Sequence, residues 1–274
     1  RMTDDRIDTV RQIQRGFEQS EFEQRTIRAQ VAMRAGQLDA LLLTTEPEVR
    51  YFTGFHTQFF ESPTRPWFVV VPATHKPIAV IPEIGATGMQ STWIEDIRTW
   101  PSPQPEDDGI SLLADTLNAL PSRFGRLGVP LGTPSVLRMP AADYESLVQR
   151  IAFTISDCAL LLHQLRFVKS PAEIKKIAMA CEITSNAFLE IAQTSSPGES
   201  EIEICRRMKI DLLERGADSI PYLVAGSGLG GYGSIIMGPT DRLLSDGDVL
   251  IIDTGTTYDG YYCDFDRNLA FGRI

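Results

Sequence analysis

Apolar and polar positions alternate along this chain with two different periods, and the change from one to the other marks its elements. Across residues 21–36 the apolar side chains Phe22, Ile27, Val31 and Met33 recur near helical spacing, and Gly36 follows as a stop. Residues 38–44 are mostly apolar, and 65–73 and 76–82 carry two more apolar runs around a polar turn at Thr74 to Lys76, which predicts buried strands. Beyond them the pattern predicts a helix over 111–120, a strand over 126–131 and a helix over 141–151. Strands alternating with helices in this way define an α/β domain over residues 1–155.

Residues 156–170 read as a bridge into a second domain over 156–274. Its first helix opens with strong start chemistry: Ser170 as cap, Pro171 in the first turn and Glu173 to close a capping box. Ile174, Ile177, Ala178, Cys181, Ile183 and Phe188 are the side chains expected to face its core. A second amphipathic helix over 201–217 follows a Pro-Gly break and ends at Gly216. From there the pattern turns to strands, 221–228 and then 248 onward. Asp259-Gly260 is a two-residue hairpin signal, so 249–256 and 261–271 should pair antiparallel around it.

That hairpin carries the candidate chemistry. With the turn at 259–260, Asp253 falls opposite Asp266, and Asp264 is a diagonal neighbour on the same face. Like charges gathered on a mostly apolar sheet cost several kcal/mol each unless something positive neutralises them. A divalent metal would do so, and hard oxygen donors at this density suit manganese, iron, cobalt or zinc acting on water. The alternative is a solvated hairpin face on which Asp264 and Asp266 pair with Arg267. The apolar run 249–252 leading into Asp253 favours the functional reading.

Composition narrows the partners. The chain has 274 residues with 36 acidic against 26 basic side chains, a formal charge of −10, which disfavours nucleic acid and anionic membrane surfaces. Its four cysteines, Cys158, Cys181, Cys205 and Cys263, include no closely spaced pair and predict free thiols. No apolar run reaches membrane-spanning length, and the expected location is cytoplasmic. The Gly-rich stretch 226–234 lacks the lysine of a phosphate loop and reads as a pocket wall, with Tyr232 a candidate substrate contact. His56 is a second pocket candidate, against the alternative of an ordinary loop histidine.

The segment 245–272, with its IDTG and DGYYCDFDRN motifs, resembles the first metal-ligand hairpin of the M24 family, which includes Xaa-Pro aminopeptidase, prolidase, methionine aminopeptidase and creatinase. Residues 169–184 resemble the first helix of that family's pita-bread domain, and 39–55 its creatinase-type N-terminal domain. The resemblance implies a creatinase-like α/β domain followed by an α+β pita-bread domain that is incomplete within these residues. It implies that Asp253 and Asp264 bind a dinuclear divalent metal centre, that the substrate is a small peptide or small-molecule amide, and that the protein is a homodimer in which the N-terminal domain, His56 with it, walls the pocket. The family's remaining ligands, one His and two Glu, belong to the second half of the pita-bread domain, so the 274 residues alone are expected to be inactive.

Two departures bear on the substrate. The family's peptidases place a histidine about ten residues before the Asp246-Gly247-Asp248 turn, where Ile235 and Ile236 stand, and all three histidines, His56, His75 and His163, precede the hairpin. Asp266 replaces the family's usual Thr or Ser and is a candidate extra ligand or support, with Arg267 beside it. The resemblance thus implies an Xaa-Pro aminopeptidase or prolidase-like hydrolase. The alternatives are a creatinase-like or other small-molecule C–N hydrolase or lyase, or a catalytically silent dimerising module.

Overall fold

A computed structural model describes residues 13–272 of the chain. They divide after Val168 into a unit over 16–168 and a second over 169–272, the latter joined by residues 13–15. The expected boundary at 155 falls before this division: residues 156–170 read as a bridge in sequence, whereas 156–167 complete β6 and supply a helix of the first unit.

The first unit is a six-stranded mixed sheet in the order β4-β3-β2-β1-β5-β6, formed by β1 (Ala40–Leu43), β2 (Phe68–Pro72), β3 (Ile78–Pro82), β4 (Asp96–Trp100), β5 (Arg126–Val129) and β6 (Thr154–Asp157). The central strands β1, β2 and β3 are buried at every position, which is why they read as unbroken apolar runs. One face packs Leu41, Val69 and Ile81 against α1 (Gln19–Ala35), α2 (Glu46–Thr53), the short α3 (Ala86–Gln90) and α6 (Ala159–Phe167). The other packs Leu42, Val70 and Val80 against α4 (Ile110–Asn118) and α5 (Ala141–Arg150). The edge strands β4 and β6 are largely polar, half-exposed and short, so the hydrophobic pattern does not announce them.

The stripe of α1 differs from the expected one. Phe22, Arg25, Thr26, Ala29 and Met33 are buried, whereas Ile27 and Val31 are exposed. Positions 22, 26, 29 and 33 keep helical register, and Ile27 and Val31 fall outside that arc.

In the second unit α7 (Pro171–Thr194) and α8 (Glu201–Glu214) cover one face of an antiparallel sheet ordered β10-β8-β7, made of β7 (Ser219–Leu229), β8 (Asp248–Tyr258) and β10 (Phe265–Ala270), with the short β9 (Tyr261–Tyr262) continuing the hairpin beside β8. Both helices begin with complete capping boxes, Ser170 with Glu173 and Ser200 with Glu203. Along α7 the buried line runs through Lys176, Met179, Ala180, Ile183, Ala187, Phe188 and Ile191. Ile174 and Ala178, expected to face the core, are exposed. The register of the capping box and the sheet beneath rotate the helix so that a lysine enters the interior. There its ammonium contacts Asp259 and donates to the Gln14 carbonyl at 3.0 Å.

Asp259 (φ 51°) and Gly260 (φ 82°) form the expected two-residue turn, with Tyr258 paired to Tyr261. Consecutive positive φ values are what a primed hairpin turn requires, and Asp followed by Gly supplies them at little cost.

Candidate metal site on the hairpin

The hairpin ladder sets the geometry of the site. Asp253 pairs with Val224 on one side and Asp266 on the other. In the next row Gly255 pairs with Tyr222, and the unbroken register places Asp264 beyond it. Side chains of paired residues share a face, so Tyr222, Asp253, Asp264 and Asp266 all project from the side of the sheet opposite α7 and α8. Leu250, Ile252 and Tyr258 project the other way, into the core.

Asp253 closes an apolar run and is half-buried, and its Oδ1 is buried without a hydrogen-bond partner. Burial raises its carboxyl above the ordinary range, repulsion from Asp264 and then Asp266 adds to this, and the Tyr222 hydroxyl partly offsets it. The phenol of Tyr222 donates to Asp264 Oδ1. Its own proton is held well above the ordinary tyrosine value, first by burial and then by the hydrogen bond to Asp264.

Gly255 lets the tyrosine reach. A Cβ there would meet the Cys263 carbonyl oxygen at 2.5 Å and Tyr222 Cε1 at 2.8 Å, so the ring lies across bare backbone between the strands. Thr254 Oγ1 secures the same tyrosine by donating to its carbonyl at 2.8 Å. Gly255→Ala is accordingly expected to destabilise the fold by about 1–3 kcal/mol and to displace Tyr222 from Asp264. Urea unfolding, together with the tyrosine ultraviolet spectrum, checks this; unchanged values for both would refute it.

Asp266 is exposed on the edge strand. Among the described residues no group of three or more His, Cys, Asp or Glu side chains is arranged to hold a metal ion. The three carboxylates share a face without forming a complete ligand set. Arg267 departs from expectation more clearly: it makes no ion pair among the described residues. Its guanidinium donates to the Asp266 carbonyl at 2.5 Å and lies over Phe265 and Phe188, with centroid distances of 5.0 and 5.8 Å. Strand alternation turns it to the helix side, away from the carboxylates flanking it in sequence.

The Gly-rich segment is a wall built on glycine. Gly226 and Gly228 lie on the carboxylate face of β7, and added Cβ atoms would strike the carbonyls of Ser234 and Gly231, so loop 230–240 folds closely over that face. Tyr232 sits in this loop, with its Cα 3.7 Å from a Cβ placed on Gly228. The tyrosine that touches a candidate ligand is Tyr222, which the sequence pattern does not single out; the signal available was Gly255 in the register position beside it. Ile235, Ile236 and Met237 are exposed on the loop. Its far end is fastened by Glu201, which accepts from Ser227 Oγ at 2.5 Å and from Thr240 N and Oγ1 at 2.8 Å each. Burial alone would raise the Glu201 carboxyl, but these hydrogen bonds more than offset it and hold it below its ordinary value. His56 belongs to the first unit, exposed after α2, with Nδ1 at 2.6 Å from Glu46 Oε1.

An α/β unit with a doubly covered mixed sheet is followed by paired helices on a sheet that carries Asp253, Asp264 and Asp266 on its other face, a two-part architecture. Residues 25–168 match the Creatinase/Prolidase N-terminal domain and residues 175–274 match Metallopeptidase family M24; the chain belongs to this family. It is 28% identical over 254 residues to the uncharacterized peptidase YqhT of Bacillus subtilis, covering 87% of this chain and 63% of that protein. The structure of dipeptidase PepE from Mycobacterium ulcerans superposes with a TM-score of 0.77 at 26% identity, covering 94% of this chain and 66% of that one. An Xaa-Pro dipeptidase from Bacillus anthracis shares the fold with a TM-score of 0.76 at 22% identity, covering 92% and 66%. The chain thus spans just under two thirds of the length of these relatives. No helix among the described residues is long and apolar enough to cross a membrane.

Proposed function

We propose that Asp253 and Asp264 are ligands of a divalent metal centre in a hydrolase of C–N bonds whose substrates are short peptides of the Xaa-Pro kind. The observation that carries this reading is the buried, unpartnered Oδ1 of Asp253 on a face shared with Asp264 and Asp266. Such an arrangement is unfavourable on its own and becomes favourable around a cation. Two carboxylates with only oxygen donors suit manganese, iron, cobalt or zinc, in a one- or two-ion centre completed by further ligands. When bound, the metal would supply the Lewis acidity that makes water nucleophilic at neutral pH. The chain's own residues orient this site. Tyr222 donates to Asp264, Gly255 leaves room for that donation, and loop 230–240 folds over Gly226 and Gly228 on the same face.

A second reading, a small-molecule C–N hydrolase or lyase, is favoured by Ile235 and Ile236, which stand where peptidases that the hairpin resembles carry a histidine. Apolar side chains there cannot donate to or accept from a peptide. The test is to load the full-length protein with manganese, cobalt or zinc and offer Xaa-Pro dipeptides, Xaa-Pro-Yaa tripeptides and small N-alkyl amides. Release of proline from dipeptides supports the prolidase-like reading. Release of the N-terminal residue from the tripeptides supports the aminopeptidase form of it. Turnover of the amides alone supports the second reading. A protein that takes up none of these metals would sink both.

A further inference from the structure

Asp264 lies where the paired segments beside β8 are interrupted, although the register continues across. β9 ends at Tyr262 and β10 begins at Phe265, so the residue lies in a gap between paired segments. Its neighbour Cys263 keeps one backbone bond across that gap, donating to Thr256 O at 3.1 Å. The regular ladder that fixes Asp253 therefore does not fix Asp264 in the same way.

Beneath the gap, on the helix side, is a polar cluster to which the metal site assigns no role. Thr184 Oγ1 of α7 is 2.8 Å from Thr256 Oγ1 and 3.0 Å from Cys263 Sγ, and Thr256 Oγ1 is 3.3 Å from that sulfur. All three converge on the Ala180 carbonyl of α7, at 3.0 Å from Thr184, 3.4 Å from Thr256 and 3.4 Å from Cys263. Thr184 and Thr256 are wholly buried and Cys263 nearly so. Apolar side chains of the same size would hold helix and sheet together without burying polar atoms. Directional bonds add orientation: they hold the Cys263 side chain and, together with its N–H bond to Thr256 O, the backbone from which the next side chain projects.

We infer that the Thr184–Thr256–Cys263 cluster positions Asp264 for metal binding, acting from below the sheet while Tyr222 acts from above. Cys263 is thus a positioning residue, joined to the candidate ligand by a single peptide unit. The inference rests on the proposed metal-site function.

The experiment uses the full-length protein and measures Mn²⁺ affinity by titration calorimetry alongside the melting temperature of the metal-free form. Cys263→Ala removes the thiol, Cys263→Ser keeps a donor, and Thr184→Val keeps the shape but removes the shared hydroxyl. Cys263→Ala and Thr184→Val are expected to weaken Mn²⁺ binding about 10- to 100-fold, as loss of support around a metal ligand does, with Cys263→Ser close to wild type. If Cys263→Ala fails to fold, Thr184→Val carries the comparison. The inference is overturned if both removal variants bind like wild type while Asp253→Asn does not bind. It is also overturned if affinity falls only in proportion to metal-free stability, which a purely structural role would give. A wild-type protein that binds no Mn²⁺, or binds it as well with Asp253→Asn, instead sinks the metal reading itself.

Discussion

Asp253→Asn is expected to remove metal binding from the full-length protein while making the metal-free form more stable. Two opposite signs follow from one environment. Asp253 places a buried oxygen without a donor on a face it shares with two other carboxylates. Without a cation, burial and repulsion both act against the charged carboxylate. An amide of the same shape removes the repulsion and brings a donor that Asp264 or Asp266 can accept. Relief of about 1 kcal/mol is the scale for one poorly satisfied buried group, or roughly 2–4 °C in melting temperature. The same change removes a candidate anionic ligand, and metal affinity should fall by more than about 100-fold, beyond the loss typical of residues that merely support a ligand. Elemental analysis of the purified variant and calorimetry of its metal-free form measure the two effects. Metal content equal to wild type would refute the ligand role, and a metal-free protein less stable than wild type would refute the account of the repulsion.

Lys176→Met should have the largest effect on stability, because it leaves a buried carboxylate without its ammonium. Lys176 is 2% exposed and its side chain forms an ion pair with Asp259 at the hairpin turn. The Gln14 carbonyl accepts from the same ammonium, and the Asp259 N–H donates to Asp218, which in turn pairs with Arg15 at 2.7 Å. Breaking a buried pair by removing one partner costs about 3–5 kcal/mol, far more than the pair itself contributes. Adding Asp259→Asn in the same chain removes the carboxylate charge that faced Lys176, and Asn tolerates the positive φ of that position. The double variant should recover most of the loss. Guanidinium unfolding of wild type, both single variants and the double variant gives the coupling directly. A single variant within about 1 kcal/mol of wild type would show that the pair is solvated rather than buried.

The sequence alone determined those features whose causes are local. Asp259-Gly260 specifies its turn through backbone sterics, and that turn fixes by counting which residues of the hairpin face one another. The pairing of Asp253 with Asp266 therefore follows from the order of residues along the chain. Ser170 with Glu173 starts α7 through hydrogen bonds within one turn, and apolar runs buried on both faces mark the central strands of the first sheet. Other features depend on neighbours distant in sequence, and only the tertiary structure decided them. Periodicity gives a helix an apolar stripe but not its exact rotation, so Lys176 is inside while Ile27, Val31 and Ile174 are outside. Charge and proximity along the chain suggested that Arg267 pairs with a carboxylate, whereas alternation in the folded strand carries it to the opposite face, over Phe188. The contact of Tyr222 with Asp264 joins residues 42 apart across a glycine, and the Thr184–Cys263 contact spans 79. Local propensity holds no record of such contacts, because they form only when the packing of helix on sheet brings distant backbone positions within hydrogen-bond reach.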